Sequence, residues 1–532
     1  MSKIEQSINP LTRLDYPDPD VIRVEDTYYM VSTTMYFMPG CEILRSYDLV
    51  NWEHAAFVYD ELDGTPGQRL EGEADIYGKG MWAASLRYHK GTFYVCFVAN
   101  DTGKTYLYRA SSIEGPWKKS IIEGFYHDCS LLFDEDDRVY IAYGNKYIHL
   151  LELKADLTGP KEGGIDRIVV SDEGHPGLGY EGTHFYKIGG RYYLFFIHSL
   201  RDRWKRVEAC FAADSLEGEF VGGDVLNDDM GYCNQGVAQG GIVDTPDGDW
   251  YAVLFQDRGA VGRIPVLLPI HWESGYPVFG VDGRVPQEFT VKSTRPDYVY
   301  EPLVQSDDFT DGYVWQGKGL TSQRVVRDAH YDSFGFKSCW QFNHEPDMKL
   351  VKRDLQKGTV EITTDKLCKN LTRARNTLTQ RMLFPACAGE VTVDGSGLKE
   401  GDFAGLCALQ GCYGMIALTK RNDKLYVVMM NRPAPDSDLA GRLKDEAEGT
   451  LQGEAELTSA VVRFRVSVDF AQMKDEAAFY YDDGEGFKQL GVVHKLCFKL
   501  DHFTGCRLGL FVYSTKECGG SAIFSEFTYK EQ

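Results

Sequence analysis

The sequence predicts an all-β protein of two units, a five-bladed β-propeller over residues 1–300 and an antiparallel β-sandwich over residues 305–532. Three observations lead there. The chain has 532 residues, more than one ordinary hydrophobic core accommodates, and typical domain sizes divide it in two. Its 32 tyrosines, 29 phenylalanines and 55 glycines suit twisted sheets joined by tight turns. The first three hundred residues repeat one short pattern five times, and a repeat of blade length is the signature of a propeller.

The repeated pattern is a turn pair followed by aromatic and aliphatic positions. Its copies are Asp26-Thr27-Tyr28-Tyr29-Met30-Val31, Gly91-Thr92-Phe93-Tyr94-Val95-Cys96, Asp137-Arg138-Val139-Tyr140-Ile141-Ala142, Gly190-Arg191-Tyr192-Tyr193-Leu194-Phe195 and Gly248-Asp249-Trp250-Tyr251-Ala252-Val253. Each reads as a strand entered from a hairpin turn. A second apolar segment precedes each copy: Val21-Ile22, Ser85-Leu86, Leu131-Leu132, His184-Phe185 and Ile242-Val243. Successive copies stand about 46 to 65 residues apart, room for the four strands of one blade. An ordinary β-sandwich with hairpins of similar composition is the alternative reading of the repeat alone.

About ten or eleven residues before the first apolar ring of each copy stand Asp18, Trp82, Asp128, Glu181 and Gln239. They are expected at equivalent positions. The innermost strand of each blade lines the channel of a propeller, so such residues converge on one axis. Carboxylates gathered in a partly dry funnel raise one another's pKa, and desolvation adds to the effect. One is then protonated near neutral pH while another is ionised, the pairing that cleavage of a glycosidic bond requires. A separation of about 5 Å gives retention and about 6.5–9.5 Å gives inversion. Asp18 and Glu181 belong to blades one and four, which are not adjacent in a five-blade ring, so inversion is expected. Asp128, from the third blade, is placed to tune the acid and orient a sugar. Each residue also has a plain structural role open to it: Asp18 between prolines as a turn former, Asp128 as a strand cap, Trp82 as core. Their shared register is what sets them apart.

These residues resemble glycoside hydrolase family 43, in its branch of β-xylosidases and α-L-arabinofuranosidases. Asn9-Pro10 with Tyr16-Pro17-Asp18-Pro19 is similar to the family's opening motif, and Tyr180-Glu181-Gly182-Thr183-His184-Phe185-Tyr186-Lys187 to its acid-bearing segment. His127-Asp128-Cys129-Ser130, Met81-Trp82-Ala83-Ala84 and Ser46-Tyr47-Asp48-Leu49-Val50-Asn51-Trp52 also match family patterns. The resemblance implies that Asp18 is the general base, Glu181 the general acid and Asp128 the pKa modulator. It implies an innermost-subsite arginine at Arg263, within Gly262-Arg263-Ile264-Pro265, and sugar contacts at Trp82, Phe37, His184, Gln239 and Phe503. The chain departs from the family pattern twice. Gln239 stands where a histidine near a calcium or water cluster is frequent, so no cofactor is required and a structural calcium is left open. Asp20 stands where serine is commoner, which leaves open which aspartate of the pair acts.

After Gly280 a polar stretch through Arg295-Pro296 reads as a linker. Beyond it, Lys424-Leu425-Tyr426-Val427-Val428-Met429 and Val461-Val462-Arg463-Phe464-Arg465-Val466 read as alternating strands, with a turn at Asp482-Asp483-Gly484. Trp340-Gln341-Phe342-Asn343-His344, Ala374 to Arg381 and Gly401 to Leu406 resemble the concanavalin-like sandwich that accompanies many of these xylosidases. His502-Phe503-Thr504-Gly505 matches the loop that partly closes the funnel there. The implied activity is exo-acting and inverting, releasing terminal β-D-xylose or α-L-arabinofuranose from short hemicellulose oligosaccharides. A non-catalytic carbohydrate-binding propeller and a retaining propeller glycosidase are the alternatives.

The formal net charge of −22 opposes nucleic acid and anionic membrane as partners. Neutral xylo- or arabino-oligosaccharides are the expected ligands, and a homo-oligomer is left open. The N-terminus carries no apolar signal region, and no stretch is apolar enough to span a membrane, which leads to a cytoplasmic expectation. The 13 cysteines lack metal-ligand spacing and sit in apolar runs such as Tyr94-Val95-Cys96-Phe97, as reduced packing residues do.

Overall fold

The computed structural model describes residues 4–317, 330–434 and 447–532. Five four-stranded antiparallel sheets succeed one another along the chain, four of them made of consecutive strands and the first interrupted by one short strand that pairs elsewhere. Their innermost strands are Asp20–Val24, Met81–His89, Ser130–Phe133, Glu181–Ile188 and Ala238–Asp244. Each pairs with the strand carrying the repeated pattern: Val21 lies opposite Met30, Leu86 opposite Val95, Leu131 opposite Ile141, Phe185 opposite Leu194 and Ile242 opposite Ala252. Two of the connecting hairpins, at Lys90-Gly91 and Gly189-Gly190, have both residues at positive φ. That is the twist-matched geometry glycine favours.

The ring closes by packing of the fifth inner strand on the first. The Gly241 N–H donates to the Pro19 carbonyl at 3.1 Å, and Arg23 pairs with Asp244 at 2.6 Å. The expected linker is only partly a linker. Within it Glu288–Lys292 forms a strand antiparallel to Ile4–Ile8, a separate two-stranded sheet.

The C-terminal unit consists of two eight-stranded antiparallel sheets. Lys424–Arg432 and Val461–Asp469 are strands of it, as the alternation predicts. One of these sheets does not belong wholly to its own unit. Its edge strand is Phe37–Met38, from a loop of blade one, paired with Gln341–Asn343. Apolar packing is likewise continuous from Tyr16, Val31 and Met38 to Phe342, Leu378 and Leu508.

Two buried arginines of the sandwich extend into the propeller. Arg381 pairs with Glu42 at 2.7 Å and donates from Nε to the Asp15 carbonyl, and the Arg507 guanidinium lies 4.0 Å from the Phe37 ring. Arg381 and Arg507 are 2 % and 1 % exposed, so their charges persist only because acids and carbonyls face them. Among the described residues no helix is long and apolar enough to cross a membrane.

Candidate active site

At the mouth of the channel the polypeptide turns through a left-handed residue, just ahead of the inner strand in blades one and three and within its first three residues in the other blades. These residues are Asp18, Ala83, Asp128, Gly182 and Gln239, with φ of 51°, 24°, 50°, 64° and 57°. Each precedes by two a residue that pairs with the second strand: Asp20, Ser85, Ser130, His184 and Gly241. The expectation of one shared position is therefore corrected. Asp18, Asp128 and Gln239 occupy it, whereas Trp82 and Glu181 stand one residue earlier, level with His127. A left-handed residue redirects the chain, and so the two sets of side chains approach the funnel from different heights.

Asp18 is 3 % exposed. Its Oδ1 accepts from Arg263 Nη1 at 2.5 Å and its Oδ2 from the Thr33 hydroxyl at 2.7 Å. Burial pushes its pKa up, while Arg263 and Thr33 oppose that by favouring the ionised form. Asp20, its neighbour in the motif, faces away from this chemistry. Its carboxylate takes Arg87 Nη1 at 2.7 Å, the Leu86 N–H at 2.8 Å and His184 Nδ1 at 3.1 Å. Arg87 and His184 outweigh its burial and hold it below the usual carboxylate range. Asp20 is thus a strut between blades, and Asp18 is the aspartate at the mouth.

Glu181 opens its strand with its side chain 21 % exposed. Burial, reinforced by the Asp128 charge, raises its pKa to about 7. Asp128 is fixed by the Gly182 N–H, donated to its Oδ2 at 3.0 Å. Two residues overlooked in the sequence complete this corner. Asn145 Nδ2 donates to Glu181 Oε2. His127 Nε2 lies 3.7 Å from Asp128 Oδ2 and 4.0 Å from Glu181 Oε2, and the Asp128 charge raises its pKa. His127 opens the His127-Asp128-Cys129-Ser130 segment, but only the register reveals that it is level with Glu181.

Trp82 and Phe503 form one wall. Their rings meet edge to face with centroids 5.1 Å apart, and the buried Trp82 Nε1–H has no acceptor among the described residues. Phe503, from the sandwich, lies 3.6 Å from the Arg263 guanidinium carbon. Arg263 is aimed by the turn before it. Its backbone N–H donates to Asp15 Oδ1 at 2.8 Å, and Asp15 Oδ2 takes the Gly505 N–H at 2.6 Å. One carboxylate thereby joins blade five to the loop bearing Phe503. Burial raises the Asp15 pKa to about 6.

Three expected sugar contacts are placed otherwise. His184 lies below the mouth, bonded to Asp20, and Phe37 is 1 % exposed between Tyr36 and Arg507. Gln239 is 4 % exposed, with its amide against Gly182, where an added Cβ would come within 2.5 Å. Asp18, Asp20, Asp128, His184 and Gln239 instead surround a water-sized cavity on the channel axis.

A propeller funnel holding a carboxyl raised toward neutrality, an arginine-bound aspartate and an aromatic wall is the working arrangement of a glycoside hydrolase. The family model for glycosyl hydrolases family 43 matches residues 7–277, and that for the β-xylosidase C-terminal concanavalin A-like domain matches residues 328–530. The chain belongs to glycosyl hydrolases family 43. It is 26% identical to a β-xylosidase of Formosa agariphila over 98% of this chain and 90% of that protein. It is 28% identical to a non-reducing end α-L-arabinofuranosidase of Bacteroides ovatus, over 65% of this chain and 64% of the relative. Among solved structures, a bifunctional GH43-CE protein of Bacteroides eggerthii superposes with a TM-score of 0.86 at 39% identity. That match covers all of this chain but 64% of the other.

Proposed function

We infer that this glycoside hydrolase is exo-acting and inverting, and that it releases terminal β-D-xylose or α-L-arabinofuranose from short oligosaccharides. In this reading Glu181 protonates the leaving oxygen, Asp18 activates the attacking water and Asp128 keeps Glu181 protonated. Arg263 and the Trp82 indole N–H bind the terminal sugar. The observation that carries the assignment is the asymmetry of the two carboxyls. Burial raises both, but Glu181 is pushed further by the Asp128 charge, to about 7, whereas at Asp18 the Arg263 and Thr33 donors oppose burial and favour its charge. Origin in blades one and four supports the wider spacing of an inverting pair, and Phe503 over the mouth supports exo action. The xylosidase and arabinofuranosidase relatives support both sugars.

No cofactor enters this reading. The axial cavity is the place for a calcium, but Asp18 and Asp20 already accept N–H or O–H bonds on both oxygens, and Asp128 on one. Calcium takes six to eight oxygen ligands, and this donor set does not fit it.

Hydrolysis of 4-nitrophenyl β-D-xylopyranoside and α-L-arabinofuranoside tests the reading, with Glu181→Gln expected to abolish turnover. NMR of the first-formed sugar should show the inverted anomer. Retained configuration would overturn the inverting assignment, and full activity of Glu181→Gln would overturn the acid.

A further inference from the structure

A buried acid adjoins the two arginines nearest the reacting carboxyls and takes no part in the reaction itself. Asp257 ends the second strand of blade five, Trp250–Asp257, and is 2 % exposed. Its Oδ1 lies 3.3 Å from Arg263 Nε and its Oδ2 2.7 Å from Arg206 Nη1. Arg206 opens the third strand of blade four, Arg206–Ala213, and is 4 % exposed. Both guanidiniums lie over the Phe255 ring, at 5.3 and 4.6 Å.

Charges of alternating sign therefore run from Asp18 through Arg263 and Asp257 to Arg206. Glu181 feels the charges of both arginines. The contacts to Asp257 are ionic, without aligned hydrogen bonds, and Arg206 Nε and Arg263 Nε have no other acceptor among the described residues. A buried ion pair adds little to stability against an apolar replacement. This one runs from one carboxyl of the reaction to the neighbourhood of the other. Two adjacent buried cations also repel each other unless an anion separates them.

We propose that Asp257 is a positioning residue that holds Arg206 and Arg263 as one rigid pair, fixing Arg263 on Asp18 and balancing the positive charge felt by Glu181. This rests on the roles assigned to Asp18 and Glu181 above. Besides the two arginines, Glu181 is faced by Asp128, His127 and Asn145, and Asp18 by Asp128, His127 and Thr33. All of these are left intact by the substitutions below.

The test is the pH profile of kcat/KM on the nitrophenyl glycosides, which reports the free enzyme's acid and base. Asp257→Asn keeps the shape and removes the negative charge. The unbalanced arginines then favour both ionised carboxylates, and both limbs should move to lower pH by about one unit. Arg206→Gln removes a positive charge and should move the descending limb upward. In addition, Asp257→Glu should restore part of the activity lost in Asp257→Asn.

Unmoved limbs with reduced activity, or shifts of the same sign in both variants, would overturn the proposal. Each sign is decisive alone, so failure of one variant to fold leaves the other as the test. Failure of all three to fold would assign the ions to the fold and overturn it as well. If Glu181→Gln leaves activity or the descending limb unchanged, the reading of the acid fails instead.

Discussion

The ring of Phe503, a residue of the sandwich, rests 3.6 Å from the guanidinium carbon of Arg263, a residue of the propeller. The same arginine binds Asp18, and so an aromatic side chain of the second unit lies one residue away from the proposed base. Phe503→Ala should cost about 3–5 kcal/mol as a buried aromatic truncation and free Arg263 to move. A lower Tm together with a kcat/KM at least tenfold lower on the nitrophenyl glycosides is expected. Unchanged kinetics would show that the contact serves packing alone.

Asp128 raises the acid by its charge, second only to burial. In Asp128→Asn the ionised form of Glu181 meets less repulsion, its pKa falls from about 7, and protonated acid disappears at lower pH. The descending limb of kcat/KM should shift down by about one unit, with activity at pH 7 reduced about fivefold.

Asn145 acts in the opposite sense, since its amide donates to Glu181 and favours the carboxylate. Asn145→Ala should raise the acid's pKa and move the descending limb up by about half a unit. The pair of variants, shifting one limb in opposite directions, separates electrostatic tuning from general damage. Profiles measured side by side suffice to show it.

Gly262 has φ of 102°, and a Cβ there would meet Asp15 Oδ1 at 2.1 Å and the Gly505 nitrogen at 2.7 Å. Both the backbone conformation and the space demand glycine. Gly262→Ala should destabilise by about 3 kcal/mol or more and displace the Asp15 bond that aims Arg263. Thermal unfolding and activity should fall together.

Most of the propeller was legible because each blade repeats a hairpin whose buried positions must be apolar and whose turn must be tight. The three acids stood out on the same repeat. The one-residue offset of Trp82 and Glu181 was not legible, because a backbone bulge leaves no mark on composition. With it His127 was overlooked, though it adjoins Asp128. Asn145, Arg206 and Asp257 come from strand ends that only the closed ring gathers, and nothing local distinguishes them from surface residues. Glu288–Lys292 was hidden among the glycines and prolines of the apparent linker. Phe37–Met38 is too short to show a strand period at all.

That two-residue strand has a bearing on inheritance. Because Met38 and Phe37 pair with Phe342 and Asn343, the sandwich is finished by a piece of chain some three hundred residues upstream. A cut between the units leaves one sheet short of its edge and one loop without its partner. The C-terminal half is therefore not an exchangeable cassette. A chimera that borrows it from a relative must also borrow the blade-one loop, and duplication or shuffling of the gene segment alone would deliver an unfinished sheet.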